Sequence, residues 1–176
     1  MTPDAFDPQL QAGARLGPYE LGLELGRGGM GAVWLARNSV TRELVALKIL
    51  LFDPEANPRY GEMFRDELLL ANHLGRRLYS LCSATAWGES DGIVYLVLDY
   101  VEGASLADID AIAPIPGPEL LTILERLAAA LADFHGLEDS AGRPLNAAHR
   151  DVTTHNVMVT LEGDVRLIDF GISKFE

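Results

Sequence analysis

The chain has 176 residues, room for one large domain or two small lobes, and 48% of them are apolar, enough for a real core. A formal net charge of −12 argues against a general nucleic-acid binder, because neutralising phosphates needs a basic face. No apolar run approaches bilayer-spanning length, Met1 to Ala14 carries no secretory pattern, and the lone Cys82 cannot form an intrachain disulfide, so a cytoplasmic protein is expected.

Residues 1–17 are polar and broken by Pro3, Pro8 and Gly13, the pattern of a disordered tail. Tyr19 to Leu25 then alternates apolar and polar residues, as a half-buried strand does. It runs into Gly26-Arg27-Gly28-Gly29-Met30-Gly31, and Ala32 to Ala36 is a second strand. Asn38 to Arg42 is a turn, and Leu44 to Leu51 is a third, strongly apolar strand. Arg59 to Leu74 has helical spacing, with Met63, Phe64, Leu70, Ala71 and Leu74 close to one face. Leu81 to Trp87 and Ile93 to Leu98 complete five strands, with one helix inserted after the third. That is a small α+β lobe.

Asp99 to Gly103 is a linker, after which the composition turns helical. Ser105 can cap a short helix through Ile112. Pro114 to Pro118 is a stiff loop. Glu119 to His135 is the best helix in the chain, with Leu120, Leu124, Leu127, Ala128, Leu131 and Phe134 on one face and Gly136 as its stop. A short hairpin follows the loop at Asp151, with strands Val157 to Val159 and Val165 to Ile168 and a turn at Glu162-Gly163-Asp164.

Three groups of residues carry chemistry. Gly26, Gly28 and Gly31, followed by Val33, form a Cβ-poor backbone that can close over phosphates, although a glycine hairpin would look the same. A strand follows them, not a helix, so this is no dinucleotide fingerprint. Lys48, one of only two lysines with Lys174, stands in an apolar strand on the same face as Ala46. A buried ammonium needs a carboxylate, and Glu67, Asp66 and Glu62 are the candidates. Finally, His149-Arg150-Asp151, Asn156 and Asp169-Phe170-Gly171 supply a base and two oxygen ligands of the kind a hard cation takes. Each acid alone reads as a turn residue. Together and in this order they do not.

The set resembles the signature of the eukaryotic-like protein kinases, over roughly Tyr19 to Lys174. The resemblance implies a protein-kinase-like α+β fold. It has a five-stranded antiparallel N-lobe with one helix at 18–98, a hinge at 99–103, and the first part of a mainly helical C-lobe at 104–176. It implies transfer of the γ-phosphoryl of ATP to a protein serine or threonine, with Mg²⁺ as the metal. Gly26, Gly28 and Gly31 would cover the phosphates, and Lys48 would hold them and pair with Glu67. Leu25, Val33, Ala46 and Met158 would sandwich the adenine, with Leu98 beside it and the backbone of Asp99 and Val101 at its edge. Asp151 would be the catalytic base, Asn156 and Asp169 the Mg²⁺ ligands, and His149 and Phe170 structural support. Arg150 would meet a phosphorylated activation loop.

Two departures stand out. Thr153 and Thr154 occupy positions where the family usually has Lys and Pro, and a hydroxyl stabilises developing charge less than an ammonium does. In this the chain is similar to bacterial, especially myxobacterial, members. Second, the sequence given ends at Glu176, before the family's remaining C-lobe. The expectation is a catalytic domain cut short after Asp-Phe-Gly, whose helix 119–135 keeps an uncovered apolar face for the missing C-lobe or a partner. The alternative reading is a non-catalytic ATP-binding or partner-binding pseudokinase module. A small-molecule kinase of the antibiotic phosphotransferase type fits less well, given the complete glycine loop.

Overall fold

The computed structural model describes residues 10–28, 31–50, 80–82, 84–138, 141–145, 148–149 and 151–168. The chain divides into two compact units, one of Met1–Leu68 with Ala84–Tyr100 and one of Leu69–Ser83 with Val101–Glu176. The predicted helix 59–74 and the Asp-Phe-Gly stretch lie outside the described residues.

The first unit is built on a six-stranded sheet in the order β1-β2-β3-β4-β6-β5, antiparallel throughout. Its strands are β1 (Arg15–Leu16), β2 (Tyr19–Gly28), β3 (Gly31–Asn38), β4 (Leu44–Leu50), β5 (Ala84–Ser90) and β6 (Ile93–Asp99). Five strands were expected. The sixth, β1, comes from the segment expected to be a disordered tail. Its Leu16 is 1% exposed, and Leu10 and Ala14 pack on the same core. Fully burying a leucine stabilises by about 1.5–3 kcal/mol, enough to hold a short polar strap that composition alone marks as loose.

The turns follow local chemistry. Asn38 accepts hydrogen bonds from the N–H groups of Val40 and Thr41 through Oδ1, at 2.9 and 3.2 Å, closing the turn into β4. Asp91 and Gly92, both with positive φ, make the two-residue turn between β5 and β6. The core lies on the face shared by Ala32, Trp34, Ala36, Leu47, Ile49, Tyr95 and Val97.

The second unit holds β7 (Gly103–Ser105), α1 (Leu106–Ile112), α2 (Gly117–His135), β8 (Val157–Thr160) and β9 (Val165–Leu167). Ser105 caps α1 as expected and completes a capping box with Asp108. The helix α2 starts at Gly117, inside the predicted proline loop, because proline is tolerated in a first turn. Its inward residues are Ala130 and Phe134, with Ile123, Leu127 and Leu131 half-buried around them. Leu124, predicted on that face, is 46% exposed instead. Helix spacing alone permits two adjacent apolar stripes here, and packing against β8 and β9 selects one. Leu81, expected within a first-lobe strand, bridges to Leu167 and joins this second core. The strand itself begins later, at Ala84.

Candidate functional site

The glycine-rich turn, the lysine and the apolar wall share one face of the first sheet. Gly26 registers with Val33, Val33 with Lys48, and Lys48 with Leu96. The neighbouring row runs Leu35, Ala46, Leu98. Residues in register share a face, and so do residues two apart on a strand. Gly26, Val33, Ala46, Lys48 and Leu98 therefore share one face; of these, the sequence alternation placed Ala46 and Lys48 together. Lys48 is only 7% exposed, a position that an ammonium occupies only with a partner. Glu67, Asp66 and Glu62 lie outside the described residues.

The three glycines differ in their surroundings. A Cβ on Gly31 would fall 2.2 Å from the carbonyl oxygen of Ile49, so close packing of β3 on β4 demands glycine there. A Cβ on Gly26 or Gly28 would meet no described residue within 4 Å. Among the described residues those two positions stand open, which is what a backbone that approaches a ligand needs. Leu25 is the extra residue of a β-bulge, between Glu24, which registers with Trp34, and Gly26. It is 44% exposed.

The second unit carries the loop from Asp151 to Asn156. Asn156 Nδ2 donates to both the backbone oxygen and Oδ2 of Asp151, each at 2.9 Å. The Asn156 N–H donates to the Thr153 oxygen at 3.0 Å, and the Ile168 N–H donates to the Asn156 oxygen at 2.9 Å. The hairpin β8–β9 thus returns the chain to the loop one residue before Asp169, which itself lies outside the described residues. With its amide nitrogen turned to Asp151, Asn156 keeps Oδ1 for another partner. Behind the loop, His149 is 1% exposed and meets Phe134 edge-on, with ring centroids 6.4 Å apart. That matches the supporting role expected of it. Thr153, Thr154 and His155 are exposed, and the loop's own residues 151–156 include no lysine.

Of the predicted residues, Leu25, Gly26, Gly28, Gly31, Val33, Ala46, Lys48, Leu98 and Asp99 belong to the first unit. Val101, Asp151, Asn156 and Met158 belong to the second. The division falls between Tyr100 and Val101, inside the predicted hinge. Sequence reasoning did not find the bulge at Leu25, because Leu21, Leu23 and Leu25 keep the apolar–polar alternation straight through it.

A β unit with a buried lysine on the same face as its glycine-rich turn, and a unit with an Asp–Asn loop joined to a hairpin, are features of the protein kinase fold. The solved structure described as PpkA-294 apo form shares that fold, with a TM-score of 0.69 at 22% identity over 93% of this chain and 62% of that one. The protein kinase domain model matches residues 19–176, and the chain belongs to that family. Among bacterial relatives, it is 33% identical to the tyrosine-protein kinase MasK of Myxococcus xanthus, over 91% of this chain and 26% of that protein. It is 34% identical to the serine/threonine-protein kinase PrkC of Bacillus subtilis, over 89% of this chain and 23% of that protein. The chain thus spans about a quarter of the length of these curated relatives.

Proposed function

We propose that the chain carries the nucleotide-binding and catalytic-loop parts of a bacterial serine/threonine protein kinase, which moves the γ-phosphoryl of ATP to a protein hydroxyl. The observation that carries this reading is the double hydrogen bond from Asn156 to Asp151. It fixes one carboxylate oxygen and leaves the other to accept a proton from the acceptor hydroxyl. As that proton moves to Asp151, the acceptor oxygen bonds to the γ-phosphorus, the bond to the β–γ bridging oxygen breaks, and ADP departs.

In this reading Lys48, aligned by Glu67, holds the α- and β-phosphates, and the open backbone at Gly26 and Gly28 covers them. Leu25, Val33, Ala46, Leu98 and Met158 form the adenine walls, and the backbone of Asp99 and Val101 its edge. Asn156 Oδ1 and Asp169 would hold Mg²⁺, which neutralises phosphate charge when bound. The amide orientation of Asn156 fits that role, since a hard cation takes oxygen donors. A cytosolic setting, where ATP is available, also suits the buried Cys82. Among the described residues no helix is long and apolar enough to cross a membrane.

The test is Mg-ATP binding alongside phosphate transfer to a protein offering serine, threonine and tyrosine. Transfer should reach serine or threonine. Asp151→Asn should reduce it by about 10²-fold or more and leave ATP affinity within about twofold. ATP binding without transfer by the wild-type chain would instead mark a nucleotide-binding module. Transfer confined to tyrosine would overturn the acceptor assignment.

A further inference from the structure

Strand β2 carries a feature that phosphate binding by the glycines does not explain. Leu21 registers with Ala36, Glu24 with Trp34 and Arg27 with Ala32. Between these pairs β2 advances three residues while β3 advances two, because register shifts fall between Leu21 and Glu24 and between Glu24 and Gly26. Ala36, Trp34 and Ala32 alternate along β3 and share one face. Leu21, Glu24 and Arg27 therefore share it too, although strict alternation would put Glu24 and Arg27 on opposite faces.

The bulge brings the two charges together. Arg27 Nε donates to Glu24 Oε1 at 3.0 Å and Nη2 donates to Oε2 at 2.8 Å. This is a two-pronged guanidinium–carboxylate fork, the geometry in which such pairs are most directional. The Arg27 hydrogen bond holds the Glu24 carboxyl below its ordinary range. Arg27 also sits between Gly26 and Gly28, the two glycines whose Cβ positions meet no described residue within 4 Å. Gly26 faces the Lys48 side of the sheet and Arg27 the other.

We propose that Glu24 and Arg27 are a positioning pair for the nucleotide: their fork locks the bulge at Leu25, and so sets the aim of the Gly26 and Gly28 backbone toward the phosphates. The pair also keeps the arginine on the face away from Lys48. This inference rests on the kinase reading given above. The fork is partly exposed, with side chains 41% and 31% accessible, so its effect is graded and not all-or-none.

The test uses the full chain, with Mg-ATP dissociation constants and melting temperatures for Glu24→Gln, Arg27→Gln, Glu24→Arg, Arg27→Glu and the Glu24→Arg/Arg27→Glu double swap. Each single variant should weaken Mg-ATP binding about three- to fivefold, as expected for losing an exposed ion pair. Melting temperature should stay within about 2 °C, and the double swap should restore affinity to within about twofold. Three results overturn the proposal: unchanged affinity in the single variants, lowered melting temperature with unchanged affinity, or weakening by the Arg27 variants alone. The last would make Arg27 a direct phosphate contact. A wild-type chain that fails to bind Mg-ATP sinks the kinase reading and this inference with it. Wild-type binding with unaffected variants sinks this inference only.

Discussion

At the residue scale, the glycine motif separates into two kinds of position that look identical in sequence. Gly31 is fixed by the Ile49 carbonyl across the sheet, whereas Gly26 and Gly28 face open space among the described residues. Gly31→Ala should therefore destabilise the chain by about 1–3 kcal/mol, read as a lower denaturation midpoint. Gly26→Ala and Gly28→Ala should be neutral or stabilising by up to about 1 kcal/mol, because alanine narrows the unfolded ensemble. Their effect should appear in Mg-ATP affinity, weakened about tenfold, since a methyl would stand where phosphate oxygens approach. Tyr95 gives a pH prediction. Burial, with a smaller contribution from Tyr19, raises its phenol above the ordinary value of 10.0. The folded state thus binds that proton more tightly than the unfolded state. The stability this contributes is fully present below the unfolded pKa and is lost as pH rises through the raised folded one. Tyr95→Phe should flatten the fall in melting temperature above about pH 10, and an unchanged alkaline slope would contradict this.

At the element scale, α2 shows where periodicity stops being informative. Its sequence spreads apolar residues over more than one face, so two stripes compete for the inner side. The structure buries Phe134 completely and leaves Leu121 and Leu124 at 69% and 46% exposure. Phe134→Ala should destabilise by about 3–5 kcal/mol, whereas Leu124→Gln should change stability by less than about 0.5 kcal/mol. Equal losses in chemical denaturation would mean that the inward face is assigned wrongly. The end of α2 was legible for a local reason: Gly136 stands at its C-cap, although its φ of −82° is not left-handed. The hairpin turn at Gly163 was legible as well, and there φ is +85°. The N-terminal strap was not, because one buried leucine at Leu16 outweighs a polar composition only once its contacts exist.

At the scale of the whole molecule, each unit has its own core, one around Trp34 and Leu47 and one around Phe134 and Leu167. Charge acts on both. A net charge of −12 on 176 residues makes self-repulsion a long-range destabilising force that salt screens. Raising sodium chloride from about 20 to about 300 mM should raise the melting temperature by a few degrees. A decrease would show that local ion pairs, such as Arg126 with Asp164 at 2.9 Å, outweigh the global field.

The amino-acid sequence by itself determined the family, because the glycine-rich turn, Lys48 and the Asp151–Asn156 loop stand in the family's order along the chain. It also determined the local punctuation, since caps and turns depend on neighbours within a few positions. Tertiary structure alone decided which glycines serve the fold, which stripe of α2 goes inside, and which unit receives Leu81. It decided, too, that two bulges in β2 would bring Glu24 and Arg27 onto one face. Those outcomes depend on register and packing between segments far apart in the chain, and a single strand's pattern carries no record of the partner it will meet.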